Sequence, residues 1–174
     1  MIIKKAFHGT PFSFKEFSNK NKGLNTGHSI NDVGFHFSEK KSYAIVYSKL
    51  HEIENAELFK LISNRYPKGF EKFTPQIIEV SLKIKNPLKT SISKNINKTL
   101  INKAIKNGYD GIIAENKSAE TMGREYVVFH TAQIDILKIK QLFNISKVKA
   151  QFKQINDGRT ALFGVQVARK IIST

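Results

Sequence analysis

The chain has no cysteine and no tryptophan, and only 14 acidic side chains stand against 29 lysines and arginines in its 174 residues. Without cysteine there can be no disulfide and no thiolate chemistry, so stability must come from a packed core and any catalysis from other groups. That usage suits a reducing cytoplasm, which is the expected location. Long hydrophobic runs are missing too. No stretch approaches the roughly 20 apolar residues that span a bilayer, and Met1-Ile2-Ile3-Lys4-Lys5 opens no run of signal-peptide length. Neither a membrane partner nor a metal is expected. The shortage of acids leaves a formal charge of +15, which favours polyanionic partners such as nucleic acid or a phosphate-rich ligand. Only four of the 29 basic residues are arginines. AT-rich coding bias explains lysine over arginine, but it does not explain the lack of acids.

A chain of this length forms one domain with an appendage and buries about two thirds of its unfolded surface. Ile2 to Phe7 reads as a strand ending at His8, broken by Gly9-Thr10-Pro11. Phe12 to Val33 reads as a loop loosened by Gly23 and Gly27 and pinned by Phe12, Phe14 and Phe17. Gly34 to Phe37 is a short strand, and Ser38 is a candidate N-cap for a helix carrying Tyr43, Ala44, Tyr47 and Leu50. That helix would run, with one break, to about Tyr66, where Pro67 and Gly69 end it.

Gln76 to Ile84 alternates, with Ile78, Val80, Leu82 and Ile84 on one face, and Asn86-Pro87 closes it. Ile96, Leu100, Ile101, Ala104 and Ile105 recur at helical spacing before an Asn107-Gly108 stop. Three more strands follow, starting near Tyr109 and spanning Tyr126 to Phe129 and Ile134 to Ile139. Strand and helix alternate early and strands cluster late, which argues an α+β fold with a mostly antiparallel sheet. Residues 1–140 would form the main domain, and 141–174 a basic helical extension.

Three segments place a polar residue at the end of a β-prone run: Phe7-His8-Gly9-Thr10, Gly34-Phe35-His36-Phe37-Ser38 with Tyr47 downstream, and Arg124-Glu125-Tyr126-Val127-Val128-Phe129. Each is ordinary alone, because a strand-end histidine is commonly a structural residue and a strand-edge glutamate is commonly solvated. The ordered set is more specific. With Asn86-Pro87-Leu88, Gly108-Tyr109-Asp110-Gly111-Ile112-Ile113 and Gln133-Ile134 it resembles the ADP-ribosyltransferases of the diphtheria-toxin and poly(ADP-ribose) polymerase type, whose motif is written H-Y-E. It is most similar to the compact transferases of bacterial and phage polyvalent proteins, over roughly Ile3 to Ile139.

The resemblance implies split, mostly antiparallel sheets with flanking helices, and NAD as substrate. His8 would bond the adenosine-side ribose, the Gly9 backbone would hold the nicotinamide carboxamide, and Tyr47 would stack on the nicotinamide ring. Glu125 would bond the other ribose and stabilise the positive charge that develops as the glycosidic bond breaks. Three departures stand out. His36 occupies the place of the motif's tyrosine, so the chain reads His8, His36, Glu125. Ala44 replaces a serine of the polymerase branch, leaving Ser42 or Thr10 to serve the carboxamide. Gly123 stands where arginine-directed toxins carry a second acid or amide, which disfavours arginine as acceptor. The RNA 2′-phosphotransferases share the fold, but they need arginines at the phosphate, and Arg124 is the only central one here.

Between Val80 and Tyr109 there are seven lysines and no acid: Lys83, Lys85, Lys89, Lys94, Lys98, Lys103 and Lys106. Such a face could hold RNA or DNA through phosphates, or it could simply be a solvated helix surface. The expected function is therefore a mono-ADP-ribosyltransferase, a toxin or phage-conflict effector acting on nucleic acid, with room for an antitoxin or inhibitor protein as partner. The alternatives are transfer to a protein, NAD glycohydrolysis, and a non-enzymatic binding module.

Overall fold

The computed structural model describes residues 1–22, 33–50, 73–91, 96–115 and 123–142. Several expectations lie outside those residues: the Gly23 and Gly27 loop, the helix beyond Leu50, Lys94, and the extension past Leu142. Seven strands form one sheet: β1 (Ile2–Phe12), β2 (Phe35–Ser38), β3 (Phe73–Lys83), β4 (Pro87–Ser91), β5 (Gly111–Glu115), β6 (Glu125–Val128) and β7 (Ile134–Gln141). Two α-helices are seen among the described residues, α1 (Lys41–Tyr47) and α2 (Lys98–Lys106). The strand order is β4-β5-β6-β2-β1-β3-β7. Every neighbouring pair is antiparallel except β4 and β5.

The sheet is nearly divided in two. β1 pairs with β3 along most of its length, from Ile2 opposite Lys83 to Phe12 opposite Phe73, whereas it meets β2 at a single pair, Phe7 opposite Ser38. This is the α+β, split-sheet arrangement anticipated from the sequence. The main core cluster draws on both halves: Ala6, Ile78, Val80, Leu82 and Ile84 meet Phe35, Phe37, Ile113, Tyr126 and Val128. Fully burying one such aliphatic side chain contributes roughly 1.5–3 kcal/mol, so the alternation in β3 is what ties the halves together. On the other side, α2 covers Ile112, Val127 and Phe129, while Ala44 of α1 packs on Phe7 and Ile77.

Three boundaries differ from the sequence reading. β1 does not stop at His8 but continues to Phe12, because β3 starts at Phe73 and offers it partners. The ladder is irregular between Thr10 and Phe12, where Pro11 lies across from the Thr74-Pro75 step, so residues lacking an N–H sit where no ladder bond is lost. Pro87 does not close β3 but opens the edge strand β4. The Asp110 carboxylate accepts from the backbone N–H of Lys85 at 2.7 Å and of Asn86 at 2.8 Å and so shapes the turn. Ser38 is not the cap of α1: that position is Lys40, and the Ser38 hydroxyl donates to the Lys40 carbonyl at 2.8 Å. The break expected in the helix falls at Lys49, whose φ is 59°, and its course past Leu50 lies outside the described residues.

α2 follows its sequence signals closely. Asn97 caps it through a 2.9 Å bond from the Leu100 N–H, Ile101 and Ala104 face the sheet, and Gly108 takes a φ of 76° just past the end. Lys103 and Lys106 fall in the last turn, where the helix dipole favours cations.

Gln133 acts as a clasp near the β6–β7 connection. Its Oε1 accepts from the N–H of Phe129 at 3.1 Å and of His130 at 3.0 Å, while its Nε2 donates to the carbonyls of Lys83 at 3.1 Å and Asp110 at 2.8 Å. All four hydrogen-bonding positions of the amide are used. Gln133→Ala is expected to cost about 2 kcal/mol in urea unfolding. Gln133→Glu should cost at least as much, because two carbonyls would then face an acceptor. A loss under about 0.5 kcal/mol in both would mean that water replaces the clasp.

Candidate active site

The join between β1 and β2 decides which side of the sheet each candidate faces. Phe7 lies opposite Ser38, so His8 falls across from Phe37, and their rings approach to 5.6 Å between centroids. Side chains alternate along a strand, so His36 and Ser38 point to the other side. On the β2–β6 ladder Ser38 pairs with Glu125 and His36 with Val127, which puts Glu125 on the side of His36. The structure thus brings His36 and Glu125 together and sets the His8 ring on the opposite face.

His8 sits among Phe14, Phe17 and Phe37, with ring centroids 6.0, 5.3 and 5.6 Å away. Gln76 steadies the segment that brings in the first two: its Oε1 accepts from Phe14 N–H at 3.4 Å and its Nε2 donates to the Ser13 hydroxyl at 2.8 Å. The His8 Nδ1–H donates to the His36 carbonyl at 2.8 Å, which stitches the two half-sheets at the point where they part. Burial pulls the His8 pKa down from 6.5 to about 4, against the opposing pull of that carbonyl. At neutral pH the ring is uncharged.

This depressed value has a consequence for stability. The unfolded chain takes up the proton first as pH falls, so the His8 contribution is complete above about 6.5 and lost progressively toward 4. The loss amounts to on the order of 2–3 kcal/mol. Denaturation of the wild type and His8→Gln between pH 7 and 4 checks it: the variant should be the less acid-sensitive of the two, and parallel curves would count against the assignment.

On the other face the His36 Nδ1–H donates to Glu125 Oε1 at 2.9 Å, with both side chains about one-fifth exposed. Among the described residues, Glu125 Oε2 has no hydrogen bond or ion pair, and the buried His36 Nε2 has no partner. One carboxylate oxygen is thereby anchored. Tyr47 projects from the last turn of α1, 38% exposed, with its ring edge-on to Tyr43 at 5.2 Å and its hydroxyl donating to the Tyr43 hydroxyl at 3.2 Å. Burial of its inner portion pushes the Tyr47 phenol well up; the Tyr43 bond and the charge of Glu125 add to the shift.

Gly9 determines where α1 lies. A Cβ there would fall 1.7 Å from the Ala44 carbonyl oxygen and 2.9 Å from the Ser48 nitrogen, so the helix rests directly on the strand backbone. Thr10 is fully buried, and its hydroxyl is exchanged with the Phe12 backbone at 3.1 Å. Ser42 is exposed on the first turn of α1.

Sequence reading missed Glu39. Its Oε2 accepts from the Arg124 N–H at 2.9 Å, its own N–H donates to the Arg124 carbonyl at 2.9 Å, and its Oε1 lies 3.7 Å from the guanidinium. These bonds fix the entry into β6 directly before Glu125. They also account for Gly123, whose φ is 62° and whose missing Cβ would lie 2.9 Å from Glu39 Oε2. No pattern in the sequence links residue 39 to residue 124, so only the fold could reveal the pair. Lys22, an apparently free cation, donates to the Phe129 carbonyl at 3.0 Å and lies 4.7 Å from the centre of the Phe35 ring.

Among the described residues no cluster of His, Asp and Glu could hold a metal, and no helix is long and apolar enough to cross a membrane. Among the described residues, a nearly divided, mostly antiparallel sheet thus sets an anchored carboxylate next to its join. The family described as ADP-ribosyltransferase in polyvalent proteins matches residues 3–138, and the chain belongs to it. It is an NAD-dependent ADP-ribosyltransferase, with NAD as its substrate. No curated protein matches the sequence. A solved chain that is 8% identical, from the crystal structure of the M. tuberculosis MbcT–MbcA toxin–antitoxin complex, resembles it with a TM-score of 0.46 over 84% of this chain and 87% of that one. A likeness that distant carries no argument about function.

Proposed function

We propose that this transferase is a mono-ADP-ribosyltransferase toxin or phage-conflict effector that moves ADP-ribose from NAD to nucleic acid in the cytoplasm. The observation that supports the chemistry best is the Glu125 carboxylate, held at Oε1 by His36 Nδ1–H and, among the described residues, without a hydrogen bond or ion pair at Oε2. Nicotinamide leaves as a neutral amide, so the reaction needs a negative group near the ribose carbon more than it needs a general acid. Glu125 would supply that charge, Tyr47 would stack on the nicotinamide ring, and the Gly9 backbone with the exposed Ser42, in place of the fully buried Thr10, would serve the carboxamide. His8 would bond the adenosine-side ribose only after Phe14 and Phe17 make way. Residues 1–140 carry this machinery in our reading, and 141–174 form a basic extension. A toxin of this kind calls for an antitoxin or inhibitor protein in the cell that makes it.

Nucleic acid is the favoured acceptor because of the lysines. On α2, Lys98, Lys103 and Lys106 are exposed on the side away from Ile101 and Ala104. Lys85 and Lys89 are exposed as well, whereas Lys83 is taken up by Asp135 at 2.8 Å. Labelled NAD incubated separately with RNA, DNA and a cell protein extract tests the assignment. Label is expected on nucleic acid, with transfer falling steeply as salt rises. Replacing Lys98, Lys103 and Lys106 together by glutamine should reduce that transfer and lower the salt slope by about 2–3. Label on protein would favour a protein acceptor, and free ADP-ribose alone would make the chain an NAD glycohydrolase. No nicotinamide release under any condition would leave only a binding module.

A further inference from the structure

We infer that His36, standing where the transferase motif carries its tyrosine, is the positioning residue for Glu125 in this chain. The inference rests on the role proposed for Glu125 above. A glutamate side chain has several rotatable bonds, and one at the start of a strand samples many placements unless something holds it. Here the His36 Nδ1–H holds Oε1 at 2.9 Å and leaves Oε2 for the ribose. A tyrosine at position 36 has no donor at that point of the ring, so the substitution adds an anchor that the motif's own residue lacks.

The far side of the ring supports the same role. His36 Nε2 is buried and, among the described residues, has no hydrogen-bond partner. A ring kept only for stacking would not need a nitrogen there, and burying an unpaired acceptor is unfavourable. That cost is tolerated while Nδ1–H holds the carboxylate. The residue itself is steadied from behind, since its carbonyl accepts from His8 Nδ1–H at 2.8 Å. A chain of two bonds thus runs from the join of the half-sheets to the carboxylate.

Two substitutions separate holding from stacking. His36→Asn sets an amide N–H where Nδ1–H stands and removes the ring, whereas His36→Phe keeps a ring and removes the donor. For nicotinamide release, His36→Phe is expected to lose about 10- to 100-fold in kcat with KM for NAD changed by less than about twofold, while His36→Asn stays within about threefold of wild type. The reverse order, with His36→Phe active and His36→Asn impaired mainly in KM, overturns the inference in favour of stacking. Circular dichroism checks that each variant folds.

Nitrogen-15 NMR of the His36 ring gives a readout independent of turnover. A protonated Nδ1 that shifts in Glu125→Gln supports the coupling; a ring protonated at Nε2 alone overturns it. Wild-type protein that shows the expected ring but releases no nicotinamide supports the coupling and sinks the transferase role given to Glu125.

Discussion

Glu125→Gln is expected to lower nicotinamide release by about 100- to 1,000-fold while leaving NAD affinity within about threefold. The amide is nearly isosteric and its oxygen still accepts from His36 Nδ1–H, so the 2.9 Å contact and the local packing survive. What disappears is the negative charge facing the ribose as positive charge develops on it. Such an interaction strengthens only on the way to the transition state, so its loss falls on kcat and not on binding. Titration calorimetry with NAD and a nicotinamide-release assay on the same preparation separate the two effects. Retention of more than a tenth of wild-type kcat would mean that another group bears the charge.

Gly9→Ala is expected to have the largest effect on the fold. The new methyl would be placed 1.7 Å from the Ala44 carbonyl oxygen, a backbone atom that moves only if α1 moves with it. Overpacking of this kind costs about 3 kcal/mol at the upper end of the usual range, which for a domain of this size lowers Tm by roughly 6–12 °C. If α1 lifts instead and spares some stability, Tyr47 is carried away from the place proposed for it on the nicotinamide ring and nicotinamide release falls. Thermal unfolding and the release assay cover both outcomes. An unchanged Tm together with unchanged turnover would contradict the contact between α1 and β1.

Much of the architecture was legible in the chain. The alternation of Ile78, Val80 and Leu82 identified β3 and its buried face, and Ile101, Ala104 and Gly108 located α2 and its end. These signals are local: each depends on side-chain periodicity or on a backbone angle that one residue type favours. The missed features are non-local. β4 escaped because an Asn-Pro step reads as a stop unless Asp110, distant in sequence, is known to receive the backbone N–H groups of Lys85 and Asn86. The continuation of β1 through Gly9-Thr10-Pro11 escaped because only an irregular pairing with β3 makes a proline acceptable there.

The same division holds at the site. The sequence by itself determined the α+β class, the lack of disulfides, the basic surface and the candidate set of His8, His36, Tyr47 and Glu125, because composition and spacing are properties of the chain alone. Tertiary structure decided how those residues are shared out. Two strand pairings do this: Phe7 opposite Ser38 sends His8 into a cage of phenylalanines, and Ser38 opposite Glu125 brings His36 to the Glu125 carboxylate. Shifting the first register by one residue would move His8 to the face of His36, and shifting the second would part His36 from Glu125, since side chains alternate with a period of two. No local pattern encodes which strands meet or in what register, because that choice is made by the packing of both half-sheets on one core.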